Sequence, residues 1–510
     1  MRIKYFCALL TLTLAACGGA PRAVADWRMV DRTLDVKIDQ PGVGDTDTAG
    51  SDGMVDDYDN AQGRLIRGVN GNVSTKFPAD GRYDVVLDAC ASNGATSYVW
   101  FVDGGDPIHS DACQLQVKLT EGPHNVALTA IDASGKDDTV PLSLNVKNLI
   151  VVGLGDSFSA GSGDSRSGLV GADYDQLQCT RTGRAGQARA ALEMETRDPK
   201  TSVTFIHLAC GGAQAEKGLL WAHNGQKPQI MELSEILPPG RAVDFLSFTI
   251  GGNDIRFSEI IGQLIGEPDA PLSILAGERT HDRAQRLLGV LRDRMARVAA
   301  CFGDGFEGRP CEVVGPSGRD DDTRTVTVPR IPVAARNRIV QITYPDMTSH
   351  FGAGGAIEIC PSGAVDRPGD LIDGLLDGLV NGRPIGDGGP PILSQPEWAW
   401  ADATLLQPVD PSPDDARPIT YAYASEGGGA PVPLAVPNTL NSVIMESTTR
   451  FGWTSSSRWW QDSRGHGYCS PPADNFFFRL IFHPQDPGYQ AEARGLLLEA
   501  ERLGVVPVSR

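Results

Sequence analysis

Ser157 is the residue of this 510-residue chain best placed to act as a nucleophile. It follows the apolar run Leu149-Ile150-Val151-Val152-Gly153-Leu154, whose length and β-branched content suit a buried parallel strand. Gly155-Asp156 then lets the chain turn tightly at that strand's end. Open α/β sheets hold their sites at this edge, so a hydroxyl presented there is positioned to attack an acyl carbon. A second Gly-Asp-Ser, Gly163 to Ser165, has no strand before it and is the weaker candidate. The G-x-S-x-G elbow of α/β-hydrolases is absent, because Gly155-Asp156-Ser157-Phe158-Ser159 ends in serine. No histidines show H-x-x-x-H or H-E-x-x-H spacing, so neither a metal nor a cofactor is expected.

Acyl transfer needs, besides the hydroxyl, a base within hydrogen-bonding reach and donors aimed at the developing oxyanion. The elements that must position them alternate from residue 148 onward. Thr201 to Ala209 reads as a strand ending in Cys210-Gly211-Gly212, and Val243 to Ile250 as another ending in Gly251-Gly252-Asn253-Asp254. Arg338 to Tyr344 is a third. Ala284, Leu287, Leu288, Leu291, Met295 and Val298 recur at helical spacing, and a last helix is expected from about Tyr489 to Leu503. Strands alternating with helices imply an α/β fold with a parallel sheet covered on both sides.

These segments resemble, in order, the conserved blocks of the GDSL or SGNH hydrolases, a family of secreted and periplasmic esterases, lipases and carbohydrate deacylases. The resemblance covers about residues 148 to 510 and implies a flavodoxin-like three-layer sandwich. Gly155-Asp156-Ser157 is similar to block I. Leu208-Ala209-Cys210-Gly211-Gly212-Ala213 is similar to block II, whose glycine offers a backbone N–H to the oxyanion. Alignment to the family's Ala-Cys-x-Gly-Ala form makes that glycine Gly212, with Gly211 as the other option. Gly251-Gly252-Asn253-Asp254 resembles block III and gives the donor role to Asn253; the Ser157 N–H would complete the oxyanion hole. Phe482-His483-Pro484-Gln485-Asp486 resembles block V and makes His483 the general base. The family commonly carries Asp three residues before this histidine, and here Leu480 stands there. Either a main-chain carbonyl near Leu480 orients the ring, the preferred reading, or another carboxylate such as Asp474 does.

The chain begins with Arg2 and Lys4 and an apolar stretch from Tyr5 to Ala16, too short to span a bilayer, which reads as an export signal. Leu14-Ala15-Ala16-Cys17 resembles a lipobox, implying acylation of Cys17 in residues 1–17 and membrane attachment, with Gly18 resembling sorting to an outer membrane. The rival is simple cleavage after Ala23-Val24-Ala25 and a secreted product. Eight cysteines remain beyond the signal, which in an exported chain reads as disulfides. Cys90 and Cys113, in the N-terminal half, should pair with each other. The resemblance to three-disulfide actinobacterial esterases implies Cys179 with Cys210, Cys301 with Cys311, and Cys360 with Cys469.

Residues 18–80 are rich in Gly and Asp and read as an acidic tether. Within them, Asp45 to Asp59 is oxygen-rich like a calcium loop, but Thr48 and Gly50 stand where the first two acidic ligands should be, and a solvated linker is preferred. Residues 81–147 read as short antiparallel strands with alternating apolar positions and Trp100 in the core. They resemble PKD-type immunoglobulin-like modules. A Pro- and Gly-rich insertion occupies about 361–438. A formal net charge of −19 would repel the backbone of nucleic acid, which is excluded as a partner.

The expectation is therefore an exported serine esterase, a lipase or carboxylesterase acting on a lipid, small ester or acylated glycan through an acyl-enzyme on Ser157. Polysaccharide O-deacetylation is the alternative within the class. A non-catalytic surface-binding lipoprotein is the alternative outside it.

Overall fold

The computed structural model describes residues 20–30, 65–69, 72–73, 77–78, 80–163, 177–257, 259–260, 274–275, 277–359, 419–423, 432–436, 438–467, 470, 477–478 and 483–508. They fall into two units, one within Met1–Val30, Pro78–Lys147 and Pro199–Thr201, the other within Asp31–Phe77, Asn148–Asp198 and Ser202–Arg510.

The first unit is all β. Asp26–Met29, Arg82–Asp88 and Gln114–Thr120 form one antiparallel sheet. Ile108–Ser110, Ser97–Val102, Gly122–Ile131 and the first half of Asp137–Gly155 pair antiparallel in a second. Alternate residues meet in a single core of Trp27, Val85, Leu87, Trp100, Leu128 and their neighbours, and Trp100 is fully buried. Cys90 and Cys113 are joined just beyond the paired residues Asp88 and Gln114. Asp26–Met29 falls in the stretch expected to be a tether. It is a strand because Trp27 and Met29 alternate inward and its backbone pairs with Val85 to Asp88, a two-residue signal too short to stand out in sequence.

The second unit is an α/β sandwich built on a mixed sheet. The elements that build it are, in chain order, β1 (Asp137–Gly155, which enters this unit at Asn148), α1 (Ser157–Ala160), α2 (Gly186–Arg197), β2 (Thr201–His207), α3 (Gln229–Ile236), β3 (Phe245–Thr249), α4 (Thr280–Ala299), β4 (Ile339–Ile342), α5 (Leu440–Phe451), β5 (Thr454–Ser456) and α6 (Asp486–Arg502), with shorter strands and helices between them. The strand order is β5-β4-β3-β1-β2, and Leu65–Val69 joins parallel to the outer side of β2, with antiparallel Asn72–Val73 beyond it. Every residue of β2, β3 and β4 is buried, as expected of parallel strands covered on both faces. Helices α2 and α6 pack on each other, as do α4 and α5.

Strand order reverses at β1: the chain passes from β1 to β2 on one side and then to β3 on the other. In an open sheet of this order, the crevice beyond the carboxyl ends of strands 1 and 3 is where ligands bind. Ser157 begins directly past the end of β1.

Disulfides join Cys179 to Cys210 and Cys301 to Cys311. Cys360 and Cys469 lie outside the described residues, as do Cys17, Ser165, Asp474, Leu480, the acidic stretch 45–59 and most of 361–438. The expected membrane partnership through an acylated Cys17, and the outer-membrane lipoprotein location that follows from it, are corrected. Every cysteine among the described residues has its sulfur committed to a disulfide, which leaves no described thiol for a lipid. No helix among them is long and apolar enough to cross a membrane.

Candidate active site

The turn that presents Ser157 depends on Gly155. Its φ is +120°, and a Cβ there would lie 2.4 Å from the Thr249 carbonyl oxygen. The Gln229 side-chain amide clamps this residue, accepting from the Gly155 N–H and donating to its carbonyl, both at 2.9 Å. Asp156 then caps α1: its Oδ1 accepts from the Phe158 N–H at 3.0 Å and from the Thr249 hydroxyl at 2.6 Å. Its Oδ2 accepts from the Tyr344 hydroxyl. Ser159 is locked to β3 by exchange with Thr249, and the buried Gln187 amide donates to the Ser159 hydroxyl and to the carbonyls of Leu154 and Ser247. Ser157 is the half-exposed residue of this otherwise buried turn.

Burial raises the Asp156 carboxyl to about 6, against the pull of the Thr249 and Tyr344 hydroxyls. Tyr344, also fully buried, is raised well above the ordinary phenol range by burial and by the adjacent Asp156, so it stays a donor. The same Tyr344 hydroxyl accepts from the Gly252 N–H at 2.8 Å. One side chain thus ties the Ser157 turn to the loop that carries Asn253.

His483 comes from 326 residues further along the chain, and its Nε2 lies 2.7 Å from the Ser157 Oγ. Several contacts hold the segment there, including ion pairs from Arg184 and Arg189 to Asp486. The Tyr489 hydroxyl in the first turn of α6 donates to the Ser162 carbonyl at 2.7 Å, and the Trp459 indole donates to the Gly488 carbonyl at 2.9 Å. Phe158, next to Ser157, lays its ring 5.0 Å from the imidazole at an interplanar angle of 31°.

The two loops flanking Ser157 end the neighbouring strands. Gly211 and Gly212 follow β2, and Asn253 follows β3. The Gly211 N–H is spent on the Cys179 carbonyl at 2.8 Å, whereas the Gly212 N–H has no partner among the described residues. Gly212 has φ +79°. Asn253 donates one amide hydrogen to the Ala213 carbonyl at 3.0 Å, which joins the two loops, and its second hydrogen has no partner among the described residues. Asp254 points the other way, accepting from the Ala215 N–H and from Arg294, and burial raises its carboxyl to about 6.

Ser157 and His483 are therefore in contact, and Gly212 and Asn253 stand at the carboxyl ends of the strands on either side of β1. Sequence reasoning missed Thr249, Tyr344, Gln187 and Gln229. No spacing signals them, because each acts on the turn from another strand or helix.

The described site is thus a serine–imidazole pair at the topological switch of an α/β sheet, with unused backbone and amide donors on adjacent loops. No protein-family model matches the chain, and no curated protein does. Among solved structures it is similar to an extracellular lipase from Streptomyces rimosus, at 16% identity over 69% of this chain and 99% of that one, with a TM-score of 0.37. It is also similar to a phospholipase A1 from Streptomyces albidoflavus, at 16% identity over 70% and 99%, TM-score 0.36. A carbohydrate esterase gives 11% identity over 43% and 71%, TM-score 0.15. The chemistry of the site rests on its own residues.

Proposed function

We propose that this chain is an SGNH-type serine hydrolase of carboxylic esters. The observation that carries the reading is the 2.7 Å approach of the His483 Nε2 to the Ser157 Oγ, within the reach a general base requires. The Ser157 hydroxyl attacks the ester carbonyl while its proton passes to His483. The oxyanion takes hydrogen bonds from the N–H groups of Ser157 and Gly212 and from the Asn253 amide. Collapse of the tetrahedral adduct expels the alcohol, which takes the proton from His483, and an acyl group remains on Ser157. Water, deprotonated by His483, attacks this acyl-enzyme and releases the acid.

The three disulfides among the described residues suit an oxidising setting outside the cytoplasm. We read the all-β first unit as a PKD- or Ig-like module that accompanies the hydrolase.

The test is hydrolysis of short- and long-chain p-nitrophenyl esters by the full chain beside Ser157→Ala and His483→Ala. Each variant should lose on the order of a thousandfold or more in kcat with its circular dichroism unchanged. Turnover surviving in Ser157→Ala would refute the mechanism, and an inactive parent would refute the ester class.

A further inference from the structure

The Gly211–Gly212 peptide is held from its far side. Its carbonyl, that of Gly211, accepts from the His223 imidazole Nε2 at 2.9 Å and from the Asn224 side-chain amide at 3.2 Å. Its N–H, that of Gly212, has no partner among the described residues. In a trans peptide these two groups point in opposite directions, so whatever fixes the carbonyl also aims the N–H. On the near side, the disulfide between Cys210 and Cys179 and the bond from the Gly211 N–H to the Cys179 carbonyl hold the residues just before.

A carbonyl oxygen only accepts, so the His223 Nε2 carries the proton. The other ring nitrogen, Nδ1, is buried with no partner among the described residues, and burial lowers the affinity of the ring for a second proton. The neutral imidazole is thus a fixed donor. Asn224 sits at φ +52°, from which its amide also reaches the Gln178 carbonyl at 3.1 Å. Both lone pairs of the Gly211 oxygen are therefore engaged, which polarises the peptide and makes its N–H a stronger donor. Gly212 admits this packing because a Cβ there would lie 3.3 Å from the His223 Nε2 at a positive φ.

We infer that His223 and Asn224 are positioning residues for the oxyanion donor of Gly212, acting through the shared peptide. This rests on the reading of Ser157 as the nucleophile of an esterase. Their effect grows as charge develops on the carbonyl oxygen of the substrate, so it belongs to kcat rather than to KM.

The experiment measures kcat and KM for p-nitrophenyl butyrate in the full chain with His223→Phe, His223→Gln, Asn224→Ala and the Ser157→Ala control. Asn224 is exposed, so Asn224→Ala reports even where His223→Phe folds poorly. The expected result is a drop in kcat of about tenfold for His223→Phe and severalfold for Asn224→Ala, with KM within about twofold. His223→Gln, which restores an N–H at the same reach, should recover part of the loss. Parent-like kcat in Asn224→Ala together with either parent-like kcat in His223→Phe or no recovery in His223→Gln overturns the inference while Ser157→Ala remains inactive. Activity persisting in Ser157→Ala overturns the esterase reading and this inference with it.

Discussion

Replacing Tyr344 with Phe removes one oxygen and keeps the ring that packs edge-on against Phe158 at 5.1 Å. Two buried groups lose a partner. The Asp156 carboxylate loses a donor, and the Gly252 N–H loses the acceptor it reaches at 2.8 Å. A hydrogen bond to a charged group is worth about 1.5–3 kcal/mol, and a stranded buried N–H costs about 1–3 kcal/mol, so the loss at pH 8 should be about 4 kcal/mol. Asp156 titrates at about 6 in the folded chain against 3.8 for a free aspartate. Its proton is therefore held longer in the folded state, and its contribution favours the fold most below pH 4 and fades as the pH rises through about 6. At pH 5 the carboxyl is mostly protonated and the lost bond is a neutral one, so the cost should shrink by about 1.5 kcal/mol. Urea unfolding of parent and variant at pH 5 and pH 8, followed by tryptophan fluorescence, reads both numbers. A cost equal at the two pH values, or below about 1 kcal/mol at pH 8, would refute the account of Tyr344 as the partner of a buried carboxylate. Because Gly252 precedes Asn253, the variant should also lose kcat at saturating ester.

Two other substitutions probe close backbone approaches. Gly155→Ala forces a Cβ to within 2.4 Å of the Thr249 carbonyl at φ +120°; it should destabilise by about 3 kcal/mol or more and abolish activity, read by urea midpoint and ester turnover, and a variant as active as the parent would contradict the turn geometry. Gly186→Ala sets a Cβ 2.6 Å from that of Glu492, where α2 meets α6. It should cost about 1–3 kcal/mol and, by displacing the helix that follows His483, lower kcat more than KM; an unchanged unfolding midpoint would show that the helices separate freely.

What could be read from the sequence was local. The apolar run before Ser157, the glycine that lets the chain turn and the helical spacing of Ala284 to Val298 are each complete within a few turns or one strand. The structure places the strand and the helix where those patterns indicate. The extra strands Asp26–Met29 and Leu65–Val69 escaped because short strands in polar surroundings are defined by the partners they pair with. The family resemblance favoured Gly212 over Gly211 as the donor, and the bond from the Gly211 N–H to the Cys179 carbonyl, which no letter announces, points the same way. Sequence periodicity carries no information on which distant side chain will fill a given hydrogen-bonding vacancy. The meeting of His483 with Ser157, the Tyr344 bridge from Asp156 to Gly252 and the His223 grip on Gly211 span 326, 188, 92 and 12 residues. Residue types alone nominated the hydroxyl and, with the family resemblance, the imidazole. Strand order and packing decided that they touch, because only the folded sheet brings those carboxyl-edge loops within hydrogen-bond length.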